Sequence, residues 1–83
     1  MHKIYLLSQA QKDLDAFRGK IFKQIEAKLM ALGQNPRPPG SIKLTAEDGY
    51  RLRSGDYRIV YRIDEGEKIV FIYRIKHRKE AYK

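Results

Sequence analysis

Tyr50-Arg51-Leu52-Arg53-Ser54-Gly55-Asp56-Tyr57-Arg58-Ile59-Val60-Tyr61-Arg62-Ile63 decides the fold. Apolar or aromatic residues recur at every second position, and arginines fill most of the places between. A period of two marks strands with one buried and one open face. Gly55-Asp56 between two such runs marks a hairpin turn. The stretch therefore reads as strands over 50–54 and 57–63. A third strand is expected over 69–76, beyond a second turn at Asp64-Glu65-Gly66-Glu67.

Parity then assigns the faces. Tyr50 and Leu52 oppose Arg51 and Arg53. Tyr57, Ile59, Tyr61 and Ile63 oppose Arg58, Val60 and Arg62. In the third strand, continued alternation sets Ile69, Phe71, Tyr73 and Ile75 against Lys68, Val70, Ile72, Arg74 and Lys76. The first set in each strand is expected under helices. The second is expected to form an open cationic face carrying Val60, Val70 and Ile72.

Outward from this sheet, residues 2–7 read as a short N-terminal strand. Ser8 and Gln11 fit a capping box, and Ala10, Leu14 and Phe17 follow as the stripe of a short helix. Gly19 reads as its stop. A second helix is expected from about 20 to 32, with Ile21, Phe22, Ile25, Leu29 and Leu32 as its apolar stripe and Gly33 as its end. So short a connection makes an αα-hairpin. The prolines of Asn35-Pro36-Arg37-Pro38-Pro39-Gly40 exclude helix and strand there. The fold class is α+β, an N-terminal strand and αα-hairpin packed on a small, largely antiparallel, twisted sheet, in one domain spanning 1–83.

Composition narrows the function. The 83 residues carry a formal net charge of +8 and no cysteine, so disulfides and thiolate metal sites are excluded. Six of the eight arginines follow residue 49. Clustered cations on one face suggest a phosphate-rich or acidic partner. No apolar run reaches bilayer length, so no membrane partner is expected and the cytoplasm is the expected location. His2 and His77 are the only histidines and lack metal-ligand spacing. Asp13/Asp15 and Glu47/Asp48 read as helix-surface and turn charges. No cofactor motif and no serine, cysteine or carboxylate catalytic motif is present.

Cationic chemistry remains. Cleavage of RNA by its own 2′-hydroxyl requires a base, an acid for the departing 5′-oxygen, and positive charge around a phosphorane. Arginine forks suit the last of these. Arg51, Arg53 and Arg58 share a face, Arg78 follows the third strand, and Tyr82 could stack on a base.

The proline loop after a helical hairpin, then Ile42-Lys43-Leu44, the Gly49 to Tyr61 stretch and His77-Arg78-Lys79-Glu80-Ala81-Tyr82 together resemble the RelE family of bacterial and archaeal toxins. The resemblance implies a RelE-like microbial RNase fold. It also implies a metal-independent mRNA endoribonuclease acting in the A site of a 70S-type ribosome and arresting translation. The implied partner is a cognate acidic, RelB-like antitoxin, forming a hetero-oligomer with an otherwise monomeric toxin. Position by position, Arg51 and Arg53 match two basic positions at the scissile phosphate, commonly lysine, the first being the family's favoured general base. Arg58 matches the arginine that stabilises the transition state. Arg78 matches the one assigned to leaving-group protonation or phosphate binding, and Tyr82 the tyrosine that stacks on the substrate. Arginine at 51 departs from this pattern, because a guanidinium does not give up its proton at physiological pH. Either Arg51 acts electrostatically or another group accepts the proton, His77 being the candidate. Two other readings share the fold: a ParE-like toxin that binds gyrase, and a catalytically weak RNA-binding homologue.

Overall fold

The computed structural model describes residues 1–45, 49–77 and 79. The elements run β1 (Lys3–Leu6), α1 (Ser8–Asp15), α2 (Gly19–Gln34), β2 (Ile42–Lys43), β3 (Tyr50–Ser54), β4 (Tyr57–Asp64) and β5 (Ile69–His77). They form one five-stranded sheet in the order β1-β5-β4-β3-β2. β1 lies parallel to β5, and the other pairs are antiparallel. The expected α+β architecture holds. Both helices cover one face, where Ala10, Leu14, Ile25, Leu29 and Leu32 meet Leu52, Ile59, Tyr61, Val70, Ile72 and Ile75. Ile21, expected in the apolar stripe of α2, is 41% exposed.

Parity fails in the first half of β5. Val60 pairs with Arg74, and the next residue, Tyr61, pairs with Ile72. Tyr73 is left over in a β-bulge, which reverses the faces N-terminal to it. Val70 and Ile72, expected on the open face, are fully buried, while Phe71 and Tyr73 stand outside. Every residue from 69 to 73 is apolar or aromatic, so the alternation carries no phase there. The bulge sets it instead.

The helix ends also differ from expectation. Ser8 is the first residue of α1, preceded by Leu7 with no side-chain cap. Gln11 Nε2 donates to Asp15 Oδ1 (2.9 Å) rather than reaching back to Ser8. Gly19, at φ 60°, opens α2 and does not end α1. Arg18 Nη1 closes α1 by donating to the Asp15 carbonyl (2.6 Å). Gly33 lies inside α2, where a Cβ would stand 3.0 Å from the His2 carbonyl oxygen. Its role is close approach to the N-terminal strand.

The proline loop is pinned to the sheet. The buried Tyr61 hydroxyl donates to the Pro36 carbonyl (2.7 Å). Burial raises the Tyr61 pKa, so the phenol stays a neutral donor. Arg37 Nε donates to the Tyr50 hydroxyl (3.0 Å), and Arg37 Nη1 meets Glu65 at 2.6 Å.

Asp13 is not a helix-surface charge. Its side chain is 11% exposed and pairs with Arg74 (2.8 Å). It also accepts from the backbone N–H of Ile75 (2.9 Å). Beyond Ile72 the edge of β5 has left β1, so Asp13 satisfies an edge donor there and fastens α1 to the sheet. Burial pushes its carboxyl up, but the hydrogen bonds from Arg74, Ile75 and Gln9 outweigh that and hold its pKa below the ordinary value. Asp13→Asn is expected to cost about 2 kcal/mol, lowering Tm on the order of 10 °C for a domain of this size. A folded-state pKa below the unfolded one contributes stability at neutral pH that is lost on acidification. The gap between wild type and variant therefore closes below about pH 4. Thermal melts across pH check this, and a gap independent of pH contradicts it.

Candidate nucleic-acid interface

The outer face of the sheet carries the arginines in rows, because cross-strand partners in an antiparallel ladder project to the same side. Arg53 pairs with Arg58, and Arg58 with Lys76. In the next row Ile42 pairs with Arg51, Arg51 with Val60, and Val60 with Arg74. The two-residue turn behind the first row has Gly55 at φ 59°, a left-handed conformation that glycine adopts without strain. Such side-by-side neighbours have Cβ atoms about 5 Å apart, so three cations stand abreast on three strands. Their mutual repulsion is relieved by a bridging anion.

Gly40, Ile42, Arg51, Arg53 and Arg58 line an open pocket of about 290 Å³ at this place. The pinned proline loop brings Gly40 to its rim. Among the described residues, Arg51 and Arg53 form no ion pair with a carboxylate. Arg74 shares the face but turns over the edge to Asp13. Forked donors converging on a pocket of this size can hold a phosphate by several of its oxygens at once.

The structure thus brings Arg51, Arg53 and Arg58 together. It does not bring His77 to them. His77 pairs with Tyr57, on the face covered by the helices, with ring centroids 5.2 Å apart and Phe17 behind Tyr57 at 4.8 Å. Its Nδ1 accepts from the Lys79 backbone N–H (3.2 Å). That hydrogen bond occupies the Nδ1 lone pair. The sheet lies between His77 and the arginine pocket. Arg78 and Tyr82 fall outside the described residues, as do Glu47 and Asp48. Lys76, which the strand parity already put on the arginine face, completes the first row. Gly40 and Ile42 also line the site; the sequence marks them only as part of the family-like loop and Ile42-Lys43-Leu44, with no role attached.

The family model described as the ParE toxin of the type II toxin–antitoxin system parDE matches residues 4–82. No curated protein matches the chain. Among solved structures, the RelBE2 toxin–antitoxin complex of Mycobacterium tuberculosis matches at 25% identity and a TM-score of 0.81, over 92% of this chain and 96% of that one. The RelB–RelE complex of Methanococcus jannaschii matches at 25% identity and a TM-score of 0.72, over 94% of each chain. The YoeB/ParE toxin of Agrobacterium tumefaciens shares the fold at 13% identity, with a TM-score of 0.78 over 90% and 96%. A family model spanning almost the whole chain, together with these folds, identifies it as a toxin of the RelE/ParE superfamily of type II toxin–antitoxin systems.

Proposed function

We propose that this toxin is a ribosome-dependent mRNA endoribonuclease that cleaves in the A site by attack of the 2′-hydroxyl on the adjacent phosphate. The observation that carries the reading is the pocket lined by Arg51, Arg53 and Arg58, with Lys76 in register with Arg58 on the next strand. In this mechanism Arg51 and Arg53 hold the scissile phosphate, and Arg58 meets the charge that develops on the phosphorane. Arg78 binds the phosphate beside the departing 5′-oxygen through its charge, and Tyr82 stacks on a substrate base. The chemistry requires no metal. Arg51 acts through its charge, since a guanidinium cannot take the 2′-hydroxyl proton. With His77 across the sheet, Lys76 is our candidate for proton transfer among the described residues of the rows, because an amine exchanges its proton where a guanidinium does not. Free RNA is a poor substrate in this reading, because the ribosome supplies the orientation of the scissile phosphate. A RelB-like acidic antitoxin suits the net charge of +8, with association that weakens as salt rises. The toxin is monomeric until it binds this partner in the cytoplasm.

The match to the ParE model favours a second reading, a toxin that binds gyrase and cuts nothing. That reading assigns no role to a pocket lined by three arginines. Mapping RNA 5′ ends in cells that express the toxin separates the two.

A further inference from the structure

We propose that the half of the outer face beyond the arginine rows is a base-stacking platform, in which Tyr5, Arg62, Phe71 and Tyr73 hold unpaired bases of the RNA strand that crosses the pocket. The proposal takes its substrate class from the endoribonuclease reading. The platform exists because of the bulge. By turning Phe71 and Tyr73 outward and spending Val70 and Ile72 on the core, β5 places two aromatic rings where solvent meets the sheet.

These rings are organised. Tyr5, 56% exposed, pairs with Phe71 across the parallel ladder, and their rings meet edge-on at 5.7 Å. Arg62 pairs with Phe71 from the other side, with its guanidinium carbon 4.8 Å from the ring centroid. Arg62 Nε donates to the Tyr73 hydroxyl (2.8 Å). The guanidinium is therefore held at the rings by a hydrogen bond before any ligand arrives. Unpaired bases stack on aromatic rings and on guanidinium planes, and a four-stranded sheet can seat two or three of them in this manner.

Charge and continuity identify the occupant. Arg62 lies on the same strand and face as Arg58, four residues and about 13 Å away at the rise of a strand. Lys3, in register with Ile69 beside Tyr5, adds a second cation. Asp64, opposite Ile69, is the first carboxylate in this direction along β4 and ends the cationic track. A strand with its phosphate at Arg58 would thus lay its neighbouring bases on the rings.

The test compares two short fluorescent oligomers of equal charge, a 2′-O-methyl oligouridine that 2′-oxygen attack cannot cleave and its abasic counterpart. Anisotropy titration of the purified toxin is expected to show the base-bearing oligomer bound roughly 10-fold more tightly. Tyr5→Ala and Phe71→Leu, each checked by circular dichroism for an intact fold, are expected to reduce that ratio to about 2-fold or less and to leave abasic binding unchanged. Arg58→Ala weakens both oligomers alike and keeps the ratio. Equal affinity for the two oligomers, or a ratio indifferent to Tyr5→Ala and Phe71→Leu, overturns the proposal. An indifferent ratio combined with weakened antitoxin binding assigns the face to a protein partner instead. No ribosome or cleavage enters the assay, so a toxin that cuts nothing can still show the ratio, and an active nuclease can still fail to show it.

Discussion

Arg58→Ala is expected to reduce ribosomal mRNA cleavage on the order of 10²–10³-fold, the cost of removing one preorganised donor from a developing oxyanion. Arg58 is the middle member of the row, flanked by Arg53 and Lys76. A phosphorane carries one more negative charge than the diester it forms from, so a guanidinium at the centre stabilises the transition state more than the ground state. The loss should therefore appear chiefly in kcat, with a smaller rise in KM from the lost phosphate contact. Growth arrest on expression is relieved by the same change. The fold survives, because the side chain projects from the outer face and contributes nothing to the core. Lys76→Arg separates charge from proton transfer. It preserves binding of the ribosomal complex and still slows cleavage, on the order of 10²-fold. Single-turnover cleavage by the two variants measures both effects. An Arg58→Ala toxin that cuts and arrests growth like the wild type removes Arg58 from the mechanism.

Ile72→Ala is expected to destabilise the domain by about 2–5 kcal/mol, the range for a large aliphatic side chain removed from a tight core. Ile72 is fully buried against Tyr61 and the helices. Total stabilities of small domains run roughly 5–15 kcal/mol, so this one change consumes a large share. Phe71→Ala removes more atoms and yet costs only about 1 kcal/mol, because the ring lies on the outer face against Tyr5 and Arg62. Unbroken alternation along β5 demands the opposite order. Urea midpoints for the two variants decide it, and a larger loss at Phe71 than at Ile72 contradicts the bulge.

The strength of each sequence signal explains what could be read before the structure. β3 and β4 alternate residues of opposite character, so their faces, their hairpin and the grouping of Arg51, Arg53 and Arg58 were legible. β5 opens with five apolar or aromatic residues in succession, where period two has nothing to contrast. The reversal of Val70 and Ile72 with Phe71 was hidden for that reason, and with it the aromatic half of the outer face. Asp13 looked like one of two surface acids on a short helix. Its partners Arg74 and Ile75 lie some sixty residues away, and no local pattern encodes that contact. Gly19 and Gly33 signalled helix ends, but one begins a helix and the other admits the N-terminal strand against a helix. His77 illustrates the reverse case. Its place in the sequence beside Arg78 suggested proximity to the pocket, but strand parity sets it on the face opposite Arg58.

In the proposed mechanism the arginine rows cut mRNA in the A site rather than dock a protein. Primer extension on mRNA from cells shortly after toxin induction tests it most directly, with DNA synthesis followed in the same culture. Breaks are expected in phase with the codons of translated messages, absent from untranslated RNA and lost with Arg58→Ala. Intact messages accompanied by arrested replication would contradict it and assign the fold to gyrase.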